Sequence, residues 1–262
     1  MRKFLIFCVL GLCFSLASLL PSPLAKAASV TPTGVYWDLE VSYGSGTTTL
    51  DSDSDSYLTP SIPPITNGLP DANSVEVYDN NYYFDAHAEY SANVTSLEAY
   101  VEGFADGSYS TNSDWYSALS KVAIASDPFT GAPLFTLSFD WTVDMDFDSA
   151  YNTGDAKIAV GIIDWTQTTD PNNPVVVAQD IFDYADSDSG TYTNSWNLDP
   201  THAYIFGVGA LASISGSEDY LGGSVDVYID NLHASTVPEP ASVLLVGAGL
   251  LALAAGYRRV RR

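Results

Sequence analysis

The sequence predicts an all-β protein, an antiparallel β-sandwich flanked by an N-terminal signal helix and a C-terminal transmembrane helix. Three observations predict it. Apolar and polar residues alternate strictly over long stretches of the middle, turn-type dipeptides separate those stretches, and an uncharged apolar run with basic residues beside it occupies each end.

The chain has 262 residues, a formal net charge of -23, 46% hydrophobic and 13% aromatic residues. That apolar and aromatic content excludes a disordered acidic chain, because it can build a core. The charge excludes a nucleic-acid binder working through basic contacts, which the phosphate backbone would repel. Seven of the nine basic residues lie in the ends, so residues 28–237 hold only Lys121 and Lys157 against 31 carboxylates, a net -29. Such a surface repels anions and attracts cations such as Ca²⁺.

The leader comes first. Arg2-Lys3 precedes an apolar run over residues 4–20, Pro21 and Pro23 break it, and Ala25-Lys26-Ala27 supplies the small residues that signal peptidase recognises, which predicts cleavage before Ala28. Cys8 and Cys13 both fall in this leader. Cys13 follows Leu12 where a lipoprotein needs a small residue, and a processed chain has no thiol for disulfides, metal ligation or nucleophilic chemistry.

Residues 28–236 form the expected acidic β-sandwich domain. Val35, Trp37, Leu39, Val41 and Tyr43 alternate with polar neighbours, as do Phe84, Ala86, Ala88 and Tyr90. The clearest run is Phe135, Leu137, Phe139, Trp141, Val143, Met145 and Phe147, seven apolar residues on one strand face. Further strands are expected at residues 157–165, 175–184, 204–214 and 225–231. Segment 204–214 is apolar or small on both sides and suits a central strand. Turns are expected at Asn80-Asn81, Asp106-Gly107, Thr153-Gly154 and Gly222-Gly223. Residues 115–119 read as a short helical turn, and the Asp/Ser and Pro-rich segment 51–70 reads as a flexible loop. One buried and one solvated face per strand implies two sheets packed face to face, and a jelly-roll is the expected topology.

The rear element reads Val237-Pro238-Glu239-Pro240, an uncharged stretch over residues 241–257, then Arg258, Arg259, Arg261 and Arg262. Seventeen helical residues span roughly 26 Å, enough for a thin hydrocarbon core, and the arginines act as a membrane stop on the cytoplasmic side. Together these features resemble the PEP-CTERM sorting signal of exopolysaccharide-producing Gram-negative bacteria. The resemblance covers residues 237–262. It implies recognition by an exosortase, a membrane transpeptidase that cuts near Pro238, Glu239 and Pro240 and passes the protein to the cell surface or extracellular matrix. The precursor would then be held in the inner membrane by the helix at 241–257 only until cut.

Candidate sites in the middle are few. Asp51, Asp53 and Asp55 have the spacing of a Ca²⁺ loop, but Ser56 and Ile62 stand where Gly and Glu are wanted, so a solvated linker is expected. Asp144, Asp146 and Asp148 mark a solvated strand face. Residues 224–232 look like the closing strand of jelly-roll carbohydrate-binding-like domains. That resemblance implies a structural Ca²⁺ on Asp230, with Glu40 or Asp38 of the first strand as partner. Tyr36, Tyr83, Tyr100, Phe104 and Tyr228 fall on nominally polar strand faces, where rings can stack on extracellular polysaccharide. His87, His202 and His233 show no ligand or catalytic spacing, and no nucleophile elbow, phosphate loop or dinucleotide fingerprint occurs. No catalytic residue is expected.

Three classes of role follow: a structural or adhesive matrix protein, a carbohydrate-binding module, and a secreted glycoside hydrolase. The first is favoured by the tail and the lack of catalytic motifs. The second requires clustered exposed aromatics, and the third a cleft with paired carboxylates.

Overall fold

A computed structural model describes residues 28–45, 48–57, 68–79, 84–105, 114–148, 152–170, 173–217 and 221–237. Two seven-stranded antiparallel sheets pack face to face. The strands are β1 (Ala28–Ser29), β2 (Pro32–Ser45), β3 (Thr48–Tyr57), β4 (Asp71–Asp79), β5 (Phe84–Ala92), β6 (Leu97–Ala105) and β7 (Asp114–Ser126). They continue with β8 (Phe129–Thr130), β9 (Leu134–Phe147), β10 (Asn152–Asp164), β11 (Val176–Tyr184), β12 (Asp188–Trp196), β13 (Ala203–Ser217) and β14 (Leu221–Val237). Sheet I runs β12-β9-β14-β6-β5-β4, with β1 on β14; sheet II runs β11-β10-β13-β7-β2-β3, with β8 on β13. The chain crosses between the sheets after β1, β3, β6, β8, β9, β11, β12 and β13, so most strands have a sequence neighbour in the facing layer.

The alternation in the sequence is the reason for the packing. On β9 the residues Phe135, Leu137, Phe139 and Val143 are buried, while Asp140, Thr142, Asp144 and Asp146 are exposed. Facing them from sheet II are Ile158, Val160 and Ile162 of β10 and Phe206, Val208 and Ile214 of β13. Phe135 lies at the centre of an aromatic group, its ring centroid 5.0 Å from that of Phe129, 5.7 Å from Phe206 and 6.0 Å from Trp196. Strand β13, small or apolar on both faces, is central in sheet II as expected.

Four local expectations differ from the structure. Thr153-Gly154 lies inside β10, and Gly222-Gly223 inside β14, rather than at turns. These glycines serve close approach: a Cβ on Gly154 would strike Phe147 and Val225, and one on Gly223 would strike Ile214 and the backbone of Asp146. Residues 115–119 belong to β7, paired on both sides. The Asp/Ser segment is the edge strand β3, paired with β2 along residues 48–57; of the rest of the expected loop, 58–67 lies outside the described residues and Gly68 forms a single bridge to Gly34. Asp51, Asp53 and Asp55 stand opposite Tyr43, Val41 and Leu39, so their carboxylates share the inward-facing side of the sheet, at an edge where they stay exposed. The expected turns at Asn80-Asn81 and Asp106-Gly107, the leader and residues 238–262 also lie outside the described residues.

Candidate functional site

Strand parity brings three of the five expected ligand aromatics to one surface. Inward positions of β14 and β6 are Val225, Val227, Ile229, Leu97, Ala99 and Val101, so Tyr228, Tyr100 and Phe104 project from the outer face of sheet I. Phe104 is 42% exposed and Tyr228 37%. Tyr36 lies on the outer face of sheet II instead, and Tyr83 is outside the described residues. The structure adds Tyr78 of β4, 57% exposed, which the sequence reading missed. The signal for it was the short alternation Val75, Val77, whose other phase ends in Tyr78.

Carboxylates fill the spaces between these rings. Tyr100 stands opposite Asp226 on one side and Glu89 on the other, and Phe104 stands opposite Asp85, which in turn faces Tyr78. Tyr228 lies between Thr142 and Glu98. The Tyr100 hydroxyl donates to Glu102 at 2.8 Å, and burial, followed by that bond, holds the phenol above its ordinary range. Asp226 stands opposite Asp144 as well, and one of its oxygens is sealed from solvent with no hydrogen-bond partner. Burial first, then Glu98, Asp144 and Glu89, push its carboxyl up to about 6. Asp85 is pushed up in the same direction by burial and by Glu76 and Glu102. An open face of rings and carboxylates can stack on the apolar side of sugar rings and accept their hydroxyl hydrogens.

The expected calcium set is not brought together. Asp38 and Glu40 project from the outer face of sheet II, where Asp38 pairs with Lys121 at 2.9 Å. Asp230 projects from the outer face of sheet I, a full sandwich away, and stands opposite Asp140. There a bulge in β14 places Asn231 at φ 54°, a conformation Asn tolerates, and its amide donates to Asp140 at 2.9 Å. Thr191 donates to the other Asp140 oxygen at 2.7 Å, and these two bonds hold the Asp140 carboxyl below its usual range. Among the described residues no group of three or more His, Asp or Glu side chains is placed to hold a metal ion.

The histidines are dispersed. His87 contacts Glu89 at 3.2 Å on sheet I, and His233 lies exposed on β14. His202 holds the buried carboxylate of Asp164 at 2.7 Å, a pair the sequence spacing of 38 residues did not reveal. Asp164 also accepts from the Gln167 backbone at 3.0 Å, so the pair closes the turn after β10 against the start of β13.

The outer face of sheet II differs in kind. Lys121 and Lys157 flank Leu211 there, beside a shallow depression of about 310 Å³ floored by Ala123, Gly209 and Ala159. Lys157 pairs with Asp155 at 3.0 Å and Asp183 at 3.1 Å.

Residues 236–262 match the PEP-CTERM protein-sorting motif. The motif marks an exported protein that is held transiently in the membrane and sorted by an exosortase. Among curated proteins none matches the chain. Solved structures resemble it loosely. The adhesin domain of Epf from Streptococcus pyogenes is 15% identical, with 79% of this chain and 64% of that one covered at a TM-score of 0.28. This chain therefore spans just under two thirds of that structure. Carbohydrate-binding modules of the β-sandwich superfamily are 14% identical, with 80% and 97% covered at 0.25; a family 16 carbohydrate-binding module is 12% identical, with 51% and 84% covered at 0.24. The sandwich assignment rests on the strand pairing described above and not on these likenesses.

Proposed function

We propose that the protein is a structural or adhesive component of an exopolysaccharide matrix, cut by an exosortase near Pro238, Glu239 and Pro240 and displayed on or released from the surface of a Gram-negative cell. The observation that carries this reading is the sorting motif at residues 236–262, which starts on the last two residues of β14. The net -29 over residues 28–237 favours solubility of the β-sandwich after release. The test is fractionation of tagged wild type beside Glu239→Ala. The variant is expected to stay with the membrane, with the arginine tail intact by mass. Identical processing and location of the two would overturn the sorting step.

A second reading, a carbohydrate-binding module, is supported by the grouping of Tyr78, Tyr100, Phe104 and Tyr228 on one sheet face. On this reading Phe104→Ala with Tyr228→Ala weakens binding to a polysaccharide about tenfold or more, each lost stacking contact counting about 1 kcal/mol. Wild type that binds neither neutral nor acidic polysaccharides would remove it.

A further inference from the structure

The four lateral strands of the sandwich are unlike one another. β3 carries the inward-facing Asp51, Asp53 and Asp55, β4 carries Asp71 and Glu76, and β12 presents Thr191, Thr193 and Ser195. Inward charges and polar edges of this kind stop strands of different molecules from pairing. β11 differs: its one inward-facing carboxylate, Asp180, is taken up by Tyr192 and Asn194 across the sandwich instead of standing exposed at the edge. It pairs only with β10 among the described residues, contains neither Pro nor Lys, and exposes Val176, Val177 and Ile181, the last at 54%. Its two carboxylates are already engaged within the molecule. Asp183 pairs with Lys157 at 3.1 Å, and Asp180 accepts from Tyr192 at 2.5 Å and from Asn194 at 3.2 Å.

We infer that β11 is a self-association edge, pairing antiparallel with β11 of a second copy about a two-fold axis through Ile181. Such an axis keeps each side chain on its own sheet face, so residue i must meet a residue an even number of places away. Few registers satisfy this. Centring on Asp180 or Asp183 sets a carboxylate against its own copy. Centring on Phe182 sets Ile181 against Asp183, and centring on Gln179 draws in the bulge, between Val176 and Ala178, where β11 meets β10. Centring on Ile181 sets Ile181 on Ile181, Gln179 on Asp183 at both flanks, Asp180 on Phe182 and Ala178 on Tyr184, with no carboxylate opposite a carboxylate. The edge is thus self-complementary over residues 178–184. The occupant is another copy of this chain, and pairing joins the two sheets II into one sheet, with both lysine-flanked depressions on the same side.

The test uses the exported protein. Two Ile181 positions facing across an antiparallel pair lie about 4.5–5.5 Å apart at Cα, within disulfide reach. Ile181→Cys is expected to give dimers joined through position 181 under mild oxidation, while Ser52→Cys on β3 and Thr193→Cys on β12 are not. Sedimentation is expected to show a concentration-dependent dimer that Ile181→Asp weakens about tenfold or more, because it opposes two carboxylates. Equal cross-linking at all three positions, a protein monomeric at every concentration, or a dimer unmoved by Ile181→Asp would overturn the inference. So would cross-linking of position 181 to a different chain, which would assign the edge to another partner.

Discussion

Tyr116 donates its hydroxyl hydrogen to Asn152 Oδ1 at 3.0 Å, and the Asn152 amide donates onward to the carbonyl of Gly222 at 2.6 Å. This relay ties β7 and β10 of sheet II to β14 of sheet I inside the core, and burial pushes the Tyr116 phenol up to about 12. Asn152→Ala would leave a buried hydroxyl and a buried carbonyl without partners. A loss of about 2 kcal/mol or more is expected, read as a fall of about 4–8 °C in Tm.

The Tyr116 ring fits only because its neighbours are small. A Cβ on Gly103 of β6 or on Gly216 of β13 would run into it. Gly103→Ala is expected to destabilise by about 1–3 kcal/mol in denaturant titration through overpacking, even though alanine suits a strand no worse than glycine.

Acidification should stabilise the domain through Asp226. Its folded pKa of about 6 lies above the ordinary 3.8, so the folded state binds the proton more tightly. The stabilisation grows as pH falls from about 7 to about 4 and is lost as pH rises through 6. Asp226→Asn should remove this dependence and raise stability at pH 7, on the order of 1 kcal/mol once solvent screening is allowed for. Melting curves at pH 4.5 and 7.5 for both proteins check it. A wild type that gains nothing at the lower pH relative to the variant contradicts the account.

Edge strand β3 gives a fourth expectation. Replacing Asp51 and Asp53 by Val would continue the inward apolar alternation of β2 onto an uncovered edge. Increased light scattering on concentration is expected, with little change in Tm.

Fold and site were legible to different depths. The run from Phe135 to Phe147 announced both its strand and its buried face, because one period-2 pattern carries both facts. Gly154 and Gly223 were misread because glycine serves a turn and a crowded strand equally well, and only the opposing Phe147 decides between them. The Asp/Ser repeat looked like a loop because an edge strand with inward carboxylates lacks the apolar phase that identifies strands. Parity put Tyr100, Phe104 and Tyr228 on outer faces, but parity does not say which sheet a strand joins. Hence Tyr36 and the pair Asp38 and Glu40 went to the opposite side from Tyr228 and Asp230.

The short pairing of β1 with β14 sets Ala28 opposite Thr236 and Ser29 opposite Ser235. The first described residues and the start of the sorting motif therefore meet at a single corner of the sandwich. While the sorting motif holds the chain at the membrane, that corner is the part of the sandwich joined to the motif by the shortest stretch of chain.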